Sequence, residues 1–324
     1  MGPVLSVVPQ PVPARLHHEA GRIMADWADI AGTDPGLPFF DDRIARAGPG
    51  WRAELPLTGD APAPAALILH TGRCGSTLVS RSLSLLTRCH VVSEPQALND
   101  VLSVDGVWPF LPAATKVEAL QRVAGALARI ARPDQDRFIL KLSSWNALHL
   151  PLLDQAFPGV PKLFVYRRPD EILVSLRDRP AGWMRRAGHR MQAGLFLGGT
   201  PSQVADTPLA FAAQVLGRIL AGVVRDVERQ GAGDWLLVPY EALPQALTTQ
   251  ILPWLGLIPT AEEADRLAHA AGRHAKDPTG RQRFEPDGTR KRAAVTADLA
   301  ALARDLADAH HDRLEHLRLQ AGQA

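Results

Sequence analysis

The chain is poor in cysteine: Cys74 and Cys89 are its only two. That excludes a disulfide framework, and no Cys/His cluster recurs at metal-ligand spacing, so no metal is expected to be required. A reducing, cytoplasmic setting fits such a chain. Long apolar runs are also missing. None approaches the roughly 20 residues that a membrane span needs. The first residues lack a charged n-region, and prolines at 9, 11 and 13 interrupt their apolar neighbours, so neither a span nor a secretory signal is expected. Excess charge of one sign is absent too. With 36 basic against 34 acidic residues, no field strong enough to make nucleic acid or a membrane surface the principal partner is expected. There is no internal repeat and no long low-complexity segment. What remains is ordinary globular composition, 324 residues of which 46% are apolar and 22% charged, enough for one large α/β domain or two small ones.

Residues 1–63 read as an N-terminal extension, with a helix expected over His17–Ile30 and a Gly/Pro-rich stretch from Gly32 to Gly59 that carries Phe39 and Phe40. From residue 64 to 324 the character changes. Short apolar runs at Ala65–Leu69, Val91–Val92, Phe138–Leu142, Val160–Tyr166 and Trp235–Val238 alternate with helical patterns at Thr77–Leu86 and Lys116–Ala131. Strands alternating with helices predict a mostly parallel sheet covered on both faces, a P-loop-like α/β fold. Residues 177–232 predict a helical cap over the carboxyl edge of that sheet. Leu299, Leu302, Leu306, Leu314 and Leu317 predict amphipathic C-terminal helix.

The densest chemistry lies where the first of these strands ends, at His70-Thr71-Gly72-Arg73-Cys74-Gly75-Ser76-Thr77. A helix that starts directly after a glycine turn presents unpaired N–H groups and the positive end of its dipole, so an anion belongs there. Gly72 and Gly75 let the turn close, Ser76 and Thr77 add hydroxyls, and Arg73 adds a planar fork of donors. Nucleoside-triphosphatase loops place lysine immediately before the Ser/Thr that holds magnesium. Here Gly75 stands in that place, which favours a nucleotide bound without Mg²⁺.

A second cationic site follows another strand at Tyr166-Arg167-Arg168-Pro169-Asp170-Glu171, with Ser175 eight positions after Arg167. Proline and acids mark the helix start, and arginines at a strand's carboxyl end are well placed for a ligand phosphate.

Together the two sites resemble the sulfotransferase family that uses 3′-phosphoadenosine 5′-phosphosulfate (PAPS). The loop from His70 to Leu78 resembles the family's 5′-phosphosulfate loop, and Arg167, Pro169 and Ser175 resemble its 3′-phosphate site. Val238-Pro239-Tyr240-Glu241-Ala242-Leu243 and the segment Ile251–Leu257 are similar to its later strand, Tyr-Glu-x-Leu turn and leucine-glycine helix. Arg73 stands where the cytosolic small-molecule branch has lysine, so the likeness is closer to the branch that modifies carbohydrates, proteins or lipids, in a bacterial-type soluble form. The resemblance implies transfer of a sulfuryl group from PAPS, as co-substrate, to a small-molecule, glycan or lipid acceptor. Gly72, Arg73, Cys74, Gly75, Ser76, Thr77, Arg167 and Ser175 would hold the donor. The family's late loop against the 3′-phosphate matches either Asp277–Phe284 or Gly288–Arg292.

Sulfuryl transfer needs positioning, charge stabilisation and a base. Arg73 would stabilise the leaving 5′-phosphate, Lys141 resembles the family lysine that neutralises the sulfuryl oxygens, and Glu94 is the expected base, with burial raising its pKa to a useful value. His70 is the rival base. Two other readings stay open: an Mg-ATP-dependent kinase or phosphotransferase, and a nucleotide-binding protein without catalysis.

Overall fold

The computed structural model describes residues 9–48, 50–56, 63–271 and 287–323. Pro11–Glu19 (β1) and Arg22–Asp29 (β2) pair antiparallel, and Trp51–Glu54 (β3) adds to β2. This hairpin replaces the helix expected over His17–Ile30. Leu16, Ile23, Trp27 and Ile30 fall at helical spacing, which misled the pattern. Ala20 and Gly21 decide the outcome: both sit at positive φ, 47° and 79°, the two-residue turn whose twist matches paired strands.

The small sheet docks on the rest of the chain. Val12, Leu16, Ile23 and Ala25 enter the main core. Arg15 meets both carboxylate oxygens of Asp100 at 2.9–3.2 Å, and the Leu16 N–H donates to the same carboxylate at 2.8 Å. A short helix, Phe40–Ile44 (α1), follows β2.

The second sheet is parallel throughout: Ala66–His70 (β4), Cys89–Ser93 (β5), Arg137–Lys141 (β6), Lys162–Tyr166 (β7) and Trp235–Pro239 (β8), in spatial order β5-β6-β4-β7-β8. Each apolar run singled out in the sequence falls on one of these strands. The crossovers carry helices Ser76–Ser84 (α2), Gln96–Leu102 (α3), Ala113–Ala128 (α4), Leu150–Ala156 (α5), Pro169–Asp178 (α6), Arg190–Phe196 (α7) and Pro208–Gln230 (α8). Alternate strand residues feed two cores: Leu67, Leu69, Leu140 and Phe164 on one face, Ile68, Ile139, Leu163 and Val165 on the other. Burial on both faces is why these strands are continuously apolar; each such side chain contributes about 1.5–3 kcal/mol.

By length and composition α8 is apolar enough to cross a membrane. Its Phe211, Val215, Ile219, Leu220 and Val223 are instead buried in the main core. The C-terminal helices Ala297–Ala303 and Ala309–Gln320 pack against it through Leu299 and Leu314. Gly217 allows that approach, since a Cβ there would overlap the Leu306 carbonyl.

Candidate functional site

All five parallel strands point their carboxyl ends at one edge, and each delivers a polar residue there. Reading across the sheet, Glu94 follows β5, Lys141 ends β6, His70 ends β4, Arg167 follows β7 and Tyr240 follows β8. The chain leaves β4 towards β5 on one side and reaches β7 on the other, so β4 lies at the topological switch point where open α/β sheets bind ligands.

His70 leads from β4 into the loop. Its Nε2–H donates to the Leu142 carbonyl at 3.0 Å, and its Nδ1 accepts from the Gly72 N–H at 3.0 Å. Both ring nitrogens are thus engaged, and the ring serves as a brace for the turn. Gly72, Arg73 and Gly75 then lie at φ 78°, 56° and 85°, left-handed turns of the kind from which backbone N–H nests for anions are built. A Cβ on Gly75 would also stand 2.8 Å from Leu243 Cδ1, so that leucine would have to shift. Ser76 and Thr77 open α2 and are nearly buried. Cys74 turns into the core, its Sγ–H donating to the Val165 carbonyl at 3.1 Å, so it offers the loop only its backbone. The Arg73 guanidinium donates to the Arg179 carbonyl just beyond α6 at 2.7 Å. Burial and the neighbouring Arg179 hold its pKa below the usual value.

On one side of the loop, Lys141 is fully buried and ion-paired to Glu94. Glu94 is held at φ 54° ahead of Pro95, with its N–H on the Lys141 carbonyl at 2.7 Å. Such strain in a non-glycine residue persists only where the surroundings impose it. The posture aims the carboxylate at three groups: Lys141, the Ser143 hydroxyl at 3.4 Å and His70 Nε2 at 3.6 Å. Burial pushes the Glu94 pKa up, but the charge of Lys141 and the contact with His70 outweigh it and hold the carboxyl far below its ordinary range. This corrects the expectation that burial raises it, because the sequence did not reveal that Lys141 would be the immediate partner.

On the other side, Arg167 is buried and bridges four groups. Its Nε donates to Glu171 at 2.7 Å, Nη2 to Asp287 at 2.7 Å and Nη1 to the Arg73 carbonyl at 3.3 Å, while its guanidinium lies 3.9 Å from the Tyr240 ring centroid. Burial works against its charge, yet Asp287 and Glu171 raise its pKa overall. Asp287 is correspondingly held below the carboxylate range, its burial outweighed by Arg167 and Lys291. Arg292 completes the cluster on Glu171 at 2.8 Å. Ser175 lies half-buried on the second turn of α6.

The structure therefore brings Glu94, Lys141 and His70 together, and ties Arg167 to the loop backbone. Three contributors were not singled out from sequence. Glu171 is one helical turn from Arg167, a legible i,i+4 pair. Asp287 adjoins the Arg290-Lys291-Arg292 run, but its partner is 120 positions away. Phe39 packs its ring 5.6 Å from Lys141 Nζ, positioned by Asp41, whose carboxylate accepts from the Gln96 N–H at 3.2 Å; nothing in the sequence announced that contact. Of the two segments proposed for the late loop, Gly288–Arg292 is placed beside Arg167 and Asp277–Phe284 lies outside the described residues.

In the cap, Trp183 stacks on Phe196, Arg186 pairs with Asp105 at 2.6 Å, and Met191 stays exposed. Trp145 packs against Phe196 in the core.

No protein-family model and no curated protein matches the chain. Among solved structures it is similar to a sulfotransferase of Mycobacterium avium (17% identity, 66% of this chain and 69% of that one, TM-score 0.45). It is also similar to the sulfotransferase domain of the Synechococcus olefin synthase (18%, 75% and 94%, 0.44) and to a mouse sulfotransferase complexed with PAP (14%, 95% and 99%, 0.43).

Proposed function

We propose that the chain is a sulfotransferase that moves a sulfuryl group from PAPS to a hydroxyl or amine of a small-molecule, glycan or lipid acceptor, without a metal. One observation carries this reading. A single sheet edge presents a carboxylate–lysine pair, a phosphate loop with glycine in place of the triphosphatase lysine, and a buried arginine cluster, in that spatial order. β6 and β7 flank β4, so Lys141 and Arg167 stand on opposite sides of the strand that feeds the loop. That leaves the loop between two seats for negative charge, as a donor phosphorylated on both sides of its ribose needs.

In this reading the loop N–H groups, Ser76 and Thr77 hold the 5′-phosphosulfate, with Arg73 nearby for the leaving phosphate, and Arg167 and Ser175 hold the 3′-phosphate. The acceptor oxygen or nitrogen attacks sulfur, the bridging sulfur–oxygen bond breaks, its electrons remain on the 5′-phosphate, and the acceptor proton passes to Glu94. Lys141 balances the sulfuryl oxygens. Glu94 is a poor base while Lys141 is bound to it; drawing that ammonium towards the sulfuryl group restores its proton affinity when it is needed.

Thermal unfolding with 3′-phosphoadenosine 5′-phosphate (PAP) tests the donor. PAP in EDTA should raise the midpoint, and a response confined to Mg-ATP would instead indicate a phosphotransferase. Transfer from radiolabelled PAPS across an acceptor panel tests the chemistry; PAP binding with no turnover of any acceptor would favour a binding protein.

A further inference from the structure

Arg167 faces two carboxylates that differ in kind. Glu171 is wholly buried, comes from the next helical turn, and bonds both Arg167 and Arg292. It is a permanent counter-ion. Asp287 is a quarter exposed and comes from 120 positions away, bonding Arg167 Nη2 at 2.7 Å. Around it converge the Tyr240 hydroxyl at 3.2 Å, Lys291 at 3.9 Å and Arg290 at 4.0 Å. Asp178 also faces Lys291 but pairs with Arg177 at 3.1 Å. Among the described residues the cluster thus sets four cations, Arg167, Arg290, Lys291 and Arg292, against two carboxylates. With Asp287 moved away the same four cations would face Glu171 alone, an excess that a phosphate monoester dianion offsets better than one carboxylate.

We propose that Asp287 occupies the seat of the donor's 3′-phosphate and is displaced when the donor binds. The inference rests on the donor site proposed above and adds a competitor that belongs to the chain itself. Glu171 satisfies Nε, and Asp287 gives the buried Nη2 its partner, keeping the guanidinium oriented against Tyr240 until a ligand arrives. Its partial exposure gives the displaced carboxylate a short route to water. A phosphate brings a third oxygen and a second charge within reach of Lys291 and Arg290, which the carboxylate does not. The affinity for any 3′-phosphorylated ligand is therefore lowered by the work of moving Asp287, whereas a ligand without that phosphate leaves it in place.

Isothermal titration of the wild type, Asp287→Asn and Asp287→Ala with PAP and with AMP, in EDTA, tests this. Asparagine keeps an acceptor for Arg167 and Tyr240 and guards against loss of folding. PAP should tighten by about tenfold in the variants while AMP changes by less than about twofold. Unchanged or weaker PAP binding in both variants, with the wild type still binding PAP, would overturn the role of Asp287 and leave the donor site standing. Absence of PAP binding in the wild type as well would bring down both.

Discussion

The two sites proposed to hold the donor's phosphates on the sheet edge are made of opposite materials. Gly72–Thr77 uses backbone dipoles, two hydroxyls and left-handed turns; the Arg167 cluster uses charged side chains locked against Glu171 and Asp287. Oriented dipoles need no counter-ion when unliganded. A buried guanidinium does, and it recruits resident carboxylates. The loop is thus local, while the arginine cluster is assembled from distant segments and already paired with carboxylates.

The sharpest way to break this contrast is to remove the guanidinium. Arg167→Ala leaves the wholly buried Glu171 with Arg292 alone and should cost about 3–5 kcal/mol in chemical denaturation. A loss under about 1 kcal/mol would mean that the cluster is not held by charge. Next in size is Glu94→Gln. Turnover should fall by about a hundredfold or more while the Kd for PAP stays put, because Glu94 follows β5, on the far side of the loop from the Arg167 cluster; an equal loss in PAP binding would erase that division. Gly75→Ala then probes the dipole seat. A Cβ at φ 85° and 2.8 Å from Leu243 should lower stability by about 1–3 kcal/mol and weaken AMP and PAP alike, unlike changes in the Arg167 cluster, which should affect PAP selectively.

The smallest effect is one of pH. The Glu94 carboxyl titrates below its unfolded value of 4.5, so its pairing with Lys141 contributes fully above that value and is lost as pH falls through the depressed folded one. The stability difference between wild type and Glu94→Gln should hold steady from about pH 8 to 5 and shrink below about pH 4. A difference that grew on acidification would reverse the sign assigned to the pair.

What was legible in the sequence follows the same division. The parallel sheet and the loop were readable because strand, turn and helix are consecutive, and their glycines and apolar runs carry the signal locally. Arg167 was found by its place after β7, but Asp287 was not, because ion pairing across 120 positions leaves no periodic trace. The β1–β2 hairpin was misread since Leu16, Ile23, Trp27 and Ile30 suit either period until the Ala20-Gly21 turn is known. Glu94 was located but its electrostatics were inverted, because the nearest charge lay on β6, a strand formed 47 positions later.

In the proposed reading one ligand fills both seats at once. The most direct measurement is the affinity of the wild-type chain for PAP and for AMP in EDTA. PAP should bind about a hundredfold or more tightly than AMP, since a site built for a polar group penalises its absence. Equal affinities would mean that the Arg167 cluster takes no part in holding the nucleotide.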